Sequence, residues 1–292
     1  MKHAWIQEHD KEFPTAVMCK VLQVSDSSYY GRLKHAPSDA RQRRQTIAQA
    51  AARFYFESER IYGYRKIYED LREANIDCCM ETVRRIMHQI GLFSRIKRRF
   101  VHTTDSDHAM AVADNLLNRD FTAASPNQKW AADITYIPTK QGWLYLAAVM
   151  DLYSRRIIGW ATSEHIDSAL VLSAMKMALS QRRPHAGLLH HSDRGSQYAS
   201  DNFQDLLDDN GIVCSMSRKG DCWDNACMES FFGSLKTEWV RDKNYSSFEE
   251  AKKDIFKYVE TFYNSRRRHA SLGYLSPAAY EELNGNERKE VA

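Results

Sequence analysis

The chain has 292 residues, 43% of them hydrophobic and 27% charged, with a formal net charge of +3. That length gives room for two or three domains with buried cores. No apolar run approaches the ~20 residues needed to cross a bilayer, and the opening "MKHAWIQEHDKEF" lacks the apolar centre of a signal peptide. A membrane protein is excluded on this reading, and a cytoplasmic location is expected. The six cysteines (19, 78, 79, 214, 222 and 227) form no C-x-x-C pair, and no His/Cys set has zinc-finger spacing. Charge is unevenly placed: residues 41–100 hold 14 Lys plus Arg against 7 Asp plus Glu. This asymmetry suggests a front half that binds a polyanion, joined to a nearly neutral remainder.

In chain order, "TAVMCKVLQVSDSSYYGRL" predicts a short helix over Ala16 to Leu22, a turn, and a second helix capped by Ser25. Residues 1–38 therefore read as a helix-turn-helix-like segment. Residues 39–100 read as a basic three-helix, helix-turn-helix DNA-binding domain. Ile47, Ala51 and Phe54 share one helical face; Tyr64, Ile67, Tyr68 and Leu71 form the next; Val83, Ile86, Met87 and Ile90 form a third that stops at Gly91. With those faces turned inward, the third helix exposes Arg84, Arg85 and His88, and the following "SRIKRR" adds Arg95, Lys97, Arg98 and Arg99. Such a helix enters a major groove while flanking cations hold phosphates.

Residues 101–124, rich in Thr, Asp, Ser and Ala, read as a linker. Helical periodicity then gives way to strands. "KWAADITYIP", "WLYLAAVMD" and "RIIGWAT" predict a three-stranded antiparallel meander, followed by alternating helices and strands in the order β-β-β-α-β-α-β-α. Residues 125–284 are thus expected as an α/β domain, a mixed sheet with helices on its faces, followed by a polar tail at 285–292.

Asp133 lies on the first strand, and Asp193 follows the strand-like run before "HHSDRGSQY". Glu229 lies on a predicted helix, with Lys236 seven positions on and on the same face. Carboxylates converging at strand ends suggest a metal site acting on DNA. Spacing alone is not decisive, because Asp224, Glu260 and Arg267 repeat it. Context favours the first set, since Asp224 follows the loop "SRKGDCW" and reads as a helix N-cap. No Walker loop and no G-x-G-x-x-G occurs, which argues against nucleotide hydrolysis. Near the end, Ser247 and Glu250 form a capping-box pattern ahead of a helix that buries Ala251, Ile255, Val259 and Phe262. The following "YNSRRRHASLGYLSP" either closes the domain as a basic loop or contacts DNA backbone through Arg266, Arg267 and Arg268.

Together, "NQKWAADITYIPT", "HHSDRGSQY", "KGDCWDNACMESFFGSLKTE" and "YNSRRRHASLGYLSP" closely resemble the transposases of bacterial insertion sequences whose protein is read from two overlapping frames. The chain is similar to the downstream-frame product, which carries a DDE catalytic domain related to retroviral integrases, and "RIYGYRKIYEDL" to "ETVRRIMHQIGL" resembles the family's helix-turn-helix. The resemblance implies a ribonuclease H-like fold, with Asp133, Asp193 and Glu229 as catalytic acids and metal ligands and Lys236 as a basic DNA contact. It also implies two Mg²⁺ ions, with Mn²⁺ able to stand in, and cleavage at terminal inverted repeats followed by 3′-hydroxyl transfer into target DNA. The implied partners are double-stranded DNA, the upstream-frame protein or a frameshift fusion with it, and further copies of the chain; the implied location is the bacterial cytoplasm at the nucleoid.

Three other readings remain to be weighed. A tyrosine recombinase would use His191, Arg194 and Tyr245 without metal, and a DNA-binding regulator would use the front half with an inactive ribonuclease H-like domain behind it. A plain ribonuclease H-like nuclease would keep the metal site but leave the DNA-reading front half without a role.

Overall fold

A computed structural model describes residues 2–34, 38–94, 113–218 and 221–291. The chain divides into two compact units, Met1–Ser94 and Arg95–Ala292.

The first unit holds two small helical cores. Helices α1 (Lys2–Glu8), α2 (Thr15–Val21) and α3 (Asp26–Lys34) bury Ile6, Met18, Cys19 and Tyr29 together. Helix α1 adds Ile6 to the two-helix segment read from the sequence. Ser25 precedes α3, and its Oγ accepts the Ser28 N–H at 3.3 Å. Helices α4 (Asp39–Glu57), α5 (Tyr64–Glu73) and α6 (Met80–Gln89) form the expected three-helix unit. They bury Ile47, Ala51, Ile67, Leu71, Val83, Ile86 and Met87. Tyr55, not Phe54, completes the buried face of α4, because its hydroxyl reaches the Phe93 carbonyl at 2.7 Å. Ile90 is exposed, since α6 has already ended when the chain turns at Gly91 with φ +71°.

The second unit is a five-stranded mixed sheet in the order β3-β2-β1-β4-β5. Its strands are β1 (Lys129–Thr139), β2 (Gly142–Asp151), β3 (Arg156–Ser163), β4 (Leu189–Ser192) and β5 (Val213–Met216). The first three are antiparallel; β4 lies parallel to β1 and β5 parallel to β4. The meander therefore leaves β1 central. Trp130 and Ala132 of β1 pack with residues of α7 (Ser168–Arg182) and α8 (Asp201–Asp209), so strand alternation turns Ala131, Asp133 and Thr135 to the other face.

Helix α7 approaches β3 closely because Gly159 faces Ala174 and Ala178. A Cβ at Gly159 would stand 2.2 Å from the Ala174 carbonyl oxygen. Helices α9 (Ala226–Leu235) and α10 (Phe248–Phe256) pack against β1. The capping pattern before α10 forms, with Ser247 Oγ accepting the Glu250 N–H at 3.2 Å. Helix α11 (Pro277–Val291) is tied down by Glu281, whose carboxylate accepts from Arg182 (2.6 Å), Arg156 (2.9 Å) and Ser154 (2.7 Å).

The segment 113–124, read as part of a linker, is built into this second unit. Leu117 is buried, and the Leu116 and Leu117 N–H groups donate to Ser215 Oγ on β5. Asn115 and Arg119 donate to Asp224. One apolar anchor among polar residues carries little periodic signal, which is why the segment reads as a linker.

Candidate active site

The parallel pairing of β1 with β4 aligns Lys129 with Leu189, Trp130 with His190, and Ala131 with His191. Continuing that register by two residues sets Asp133 level with Asp193, on neighbouring strands that run ~4.8 Å apart. Asp193 leaves β4 in a local turn, its Oδ1 accepting the Gly195 N–H at 3.0 Å. Asn225, just before α9, donates its Nδ2 to the Ala132 carbonyl at 3.0 Å. That bond ties the helix start to β1 one residue before Asp133 and brings Glu229, one turn into α9, toward the two aspartates.

Electrostatics record the convergence. Burial foremost, then the negative charges of Asp193 and Glu229, push the Asp133 carboxyl well above the usual carboxylate range; the Ile134 N–H at 2.8 Å and Lys236 pull the other way. Lys236 follows the end of α9, so its seven-residue spacing from Glu229 is realised on a continuous helical path. Burial pushes the Lys236 ammonium down, against Tyr136 and Asp133. Its Nζ lies 4.4 Å from the centroid of the Tyr136 ring. Asp193, Glu229 and Lys236 thus all act electrostatically on Asp133 of β1.

Among the described residues, no three His, Cys, Asp or Glu side chains stand together as closely as ligands of one ion. The donor chemistry nevertheless fits Mg²⁺. The side chains are oxygen donors with excess negative charge, and this ion binds through one or two carboxylates while keeping water or phosphate in its other positions. Asp133, on which the charges of both Asp193 and Glu229 act, would be the carboxylate common to such pairs.

The second acid set does not form a rival centre. Asp224 is fully buried and accepts from Asn115 Nδ2 (2.7 Å), Arg119 Nε (2.9 Å), and the Arg218 backbone N–H (2.9 Å) and guanidinium (2.8 and 2.9 Å). These donors hold its carboxyl below the usual range. It is an ion-pair hub and not the expected helix cap. Asp221 plays that part, accepting from the Trp223 N–H. Both residues lie in one short loop, so composition did not separate them.

Arg267 is likewise spent inside the fold. Its guanidinium donates to Glu238 at 2.6 and 2.7 Å and to Ser234 Oγ at 3.1 Å, with the Arg267 side chain 13% and the Glu238 side chain 4% exposed. The reading of Arg267 as a DNA-backbone contact is therefore corrected; it is a buried structural cation. Arg266 is exposed, and Arg268 is half-buried with a bond to the Tyr274 carbonyl at 3.1 Å. Arg84, Arg85 and His88 are exposed on α6 as expected, but both arginines bind Glu81, at 2.6 and 3.1 Å. Arg95, Lys97, Arg98 and Arg99 lie outside the described residues.

The recombinase alternative has no site. His191 is buried between Ser215 Oγ (2.9 Å) and Ser217 Oγ (3.1 Å), while buried Tyr245 donates to Asp254 at 2.6 Å. Neither presents a group to a phosphate. Among the described residues, no helix is long and apolar enough to cross a membrane.

Sheet order, helical front unit and acid-bearing strand ends define a ribonuclease H-like core of the integrase class, preceded by a helix-turn-helix-like region. Models described as an integrase core domain match residues 123–222 and 210–277, and one described as an HTH-like domain matches 42–100. The transposase InsF for insertion sequence IS3A of Escherichia coli (strain K12) is 39% identical over 286 residues, covering 97% of this chain and 99% of the relative. The insertion element IS600 uncharacterized 31 kDa protein of Shigella sonnei is 42% identical over 265 residues, covering 91% and 97%. The chain is also similar to the HTLV-2 integrase catalytic core domain solved with magnesium in a trimeric form, at 18% identity and a TM-score of 0.41, covering 54% of this chain and 98% of that one. The chain belongs to the IS3-type insertion-sequence transposases.

Proposed function

We propose that this chain is the catalytic subunit of DNA transposition, cutting strands at the ends of its element and joining the freed 3′-hydroxyl to target DNA. The observation that carries the proposal is the convergence of Asp133, Asp193 and Glu229, read from strand register, from the Asn225 tie, and from the mutual charge that raises Asp133. These three carboxylates would hold two Mg²⁺ ions, or Mn²⁺ in their place, with Asp133 shared. Such ions activate a water or 3′-hydroxyl and stabilise the leaving oxygen.

The protein's own groups position the DNA. Lys236, at the edge of the acid cluster, offers its ammonium to a phosphate near the reacting end. The exposed face of α6, with Arg84, Arg85 and His88, reads a groove, while Arg266, Arg268 and the basic run Arg95, Lys97, Arg98 and Arg99 hold backbone phosphates. On this reading residues 39–100 form the DNA-binding domain and 125–284 the catalytic core. The working complex contains several copies, assembled with the upstream-frame protein or as a frameshift fusion with it.

Glu229→Gln tests the assignment: DNA affinity stays within about twofold of wild type while metal-dependent cleavage at the element end is lost. Full cleavage by that variant removes Glu229 from the site.

A further inference from the structure

Arg155 occupies the turn between β2 and β3 in the left-handed region, at φ +61°, a conformation costly for a side chain of this kind. Its guanidinium meets the thiol of Cys227 on α9, and among the described residues it forms no ion pair with a carboxylate. A thiol is a weak acceptor, so most of the five guanidinium N–H donors of this half-buried side chain stay open to solvent or a ligand. Nor does the sulfur supply a counter-charge: burial pushes the Cys227 thiol up, outweighing the pull of Arg155, and keeps it protonated.

Arg155 and Cys227 line a cavity of about 280 Å³ whose walls add the hydroxyls of Ser230, Ser234 and Ser271 and the ring of His269. Among the described residues, no acidic side chain lines it. Arg267 contributes to the wall, but its charge is matched by Glu238. The cavity thus carries one unmatched cation and a set of hydroxyl donors. Ser230 directly follows Glu229, so the opening lies on the flank of the helix that bears the candidate catalytic acid.

We propose that this cavity holds a backbone phosphate of bound DNA, with Arg155 as its anchor and the serine hydroxyls as secondary donors. Resting on the DNA-transposition reading, the proposal adds a phosphate site separate from the carboxylate cluster. A phosphate seated there would fix the strand along α9 and bring a neighbouring phosphodiester toward Glu229. The contact with Cys227 holds the guanidinium at the cavity wall before DNA arrives.

The test is the affinity of the full chain for linear duplex DNA in EDTA, measured from 50 to 200 mM salt, for wild type, Arg155→Gln and Arg155→Lys. Loss of one phosphate contact lowers the slope of log affinity against log salt by about 0.9. That loss is expected for Arg155→Gln, with the slope retained in Arg155→Lys and thermal midpoints confirming folded protein. Ser230→Asp, at an exposed helical position, places a negative charge at the opening and is expected to weaken binding without unfolding the chain. An unchanged slope in Arg155→Gln, or unchanged affinity in Ser230→Asp, overturns the proposal while leaving the transposase reading intact; absence of DNA binding in every protein overturns both. If inorganic phosphate raises the thermal midpoint of wild type but not of Arg155→Gln, and the DNA slope is unchanged, the cavity serves a free oxyanion and the DNA assignment is overturned.

Discussion

Replacing Arg267 with Met strips the buried Glu238 carboxylate of its guanidinium. Tyr258 also donates its hydroxyl to Glu238, at 3.2 Å, but a neutral donor cannot replace the two charge-assisted bonds at 2.6 and 2.7 Å. Removing one partner of a buried ion pair costs about 3–5 kcal/mol, chiefly because the other charge is left uncompensated. With a urea m-value of about 2 kcal/mol per molar, the unfolding midpoint falls by roughly 2 M. Trp239 reports the transition, since it packs against Tyr258 and Phe262 with ring centroids 5.4 and 5.6 Å apart. The double variant Glu238→Leu/Arg267→Met removes both charges and is expected to recover to within about 1–2 kcal/mol of wild type. Because Arg267 is held by Glu238 and Ser234 and not by a phosphate, the salt dependence of DNA binding stays as in wild type. A single variant that loses less than about 1 kcal/mol, with a DNA salt slope lowered by about 0.9, would refute the reasoning and return Arg267 to the DNA surface.

Gly159→Ala forces a methyl to within 2.2 Å of the Ala174 carbonyl, so α7 must shift from β3. A loss of about 2–4 kcal/mol in urea unfolding is expected, above the usual overpacking cost because the obstacle is backbone. His190 is fully buried beside Tyr198 and Phe203, and among the described residues neither ring nitrogen has a hydrogen-bond partner. Burial foremost, then the neighbouring His191, lowers its pKa from 6.5 to about 3. Above pH 6.5 both folded and unfolded forms are neutral, whereas between 6.5 and about 3 only the unfolded chain takes up the proton. Stability is therefore lost as pH falls, at about 1.4 kcal/mol per unit, or roughly 2 kcal/mol between pH 7 and 5; His190→Leu should lack this component when the two proteins are compared by denaturant unfolding. Glu81 holds both Arg84 and Arg85 on α6, and those arginines lower its carboxyl to about 2. Glu81→Gln frees both guanidinium groups and is expected to raise duplex DNA affinity several-fold at low salt, an effect read by fluorescence anisotropy.

Local pattern revealed most of the scaffold. The change from helical to alternating periodicity at Trp130 marked the start of the sheet, and the unbroken apolar run of β2 marked a strand covered on both faces. The position of Asp133 beside Asp193 followed because a meander leaves its first strand free to pair with the next crossover strand. Interactions between distant residues were not legible. Arg267 lies in a run of three arginines that reads as a surface patch, and its partner Glu238 is 29 residues away on another helix. Asp224 resembles a cap as closely as Asp221 does until Arg119, 105 residues upstream, is brought beside it. The cavity around Arg155 assembles the β2–β3 turn, α9 and the basic loop after residue 264, three segments with no common sequence signal.

The carboxylate cluster is tested most directly by cleavage of labelled linear DNA carrying the element's ends, in Mg²⁺ or EDTA, comparing wild type with Asp193→Asn and running the upstream-frame fusion in parallel. Nicking at the end that requires metal and disappears in Asp193→Asn, while DNA binding persists, is the predicted result. Cleavage that survives either EDTA or the loss of Asp193 would contradict the assignment of Asp133, Asp193 and Glu229 as the reacting centre.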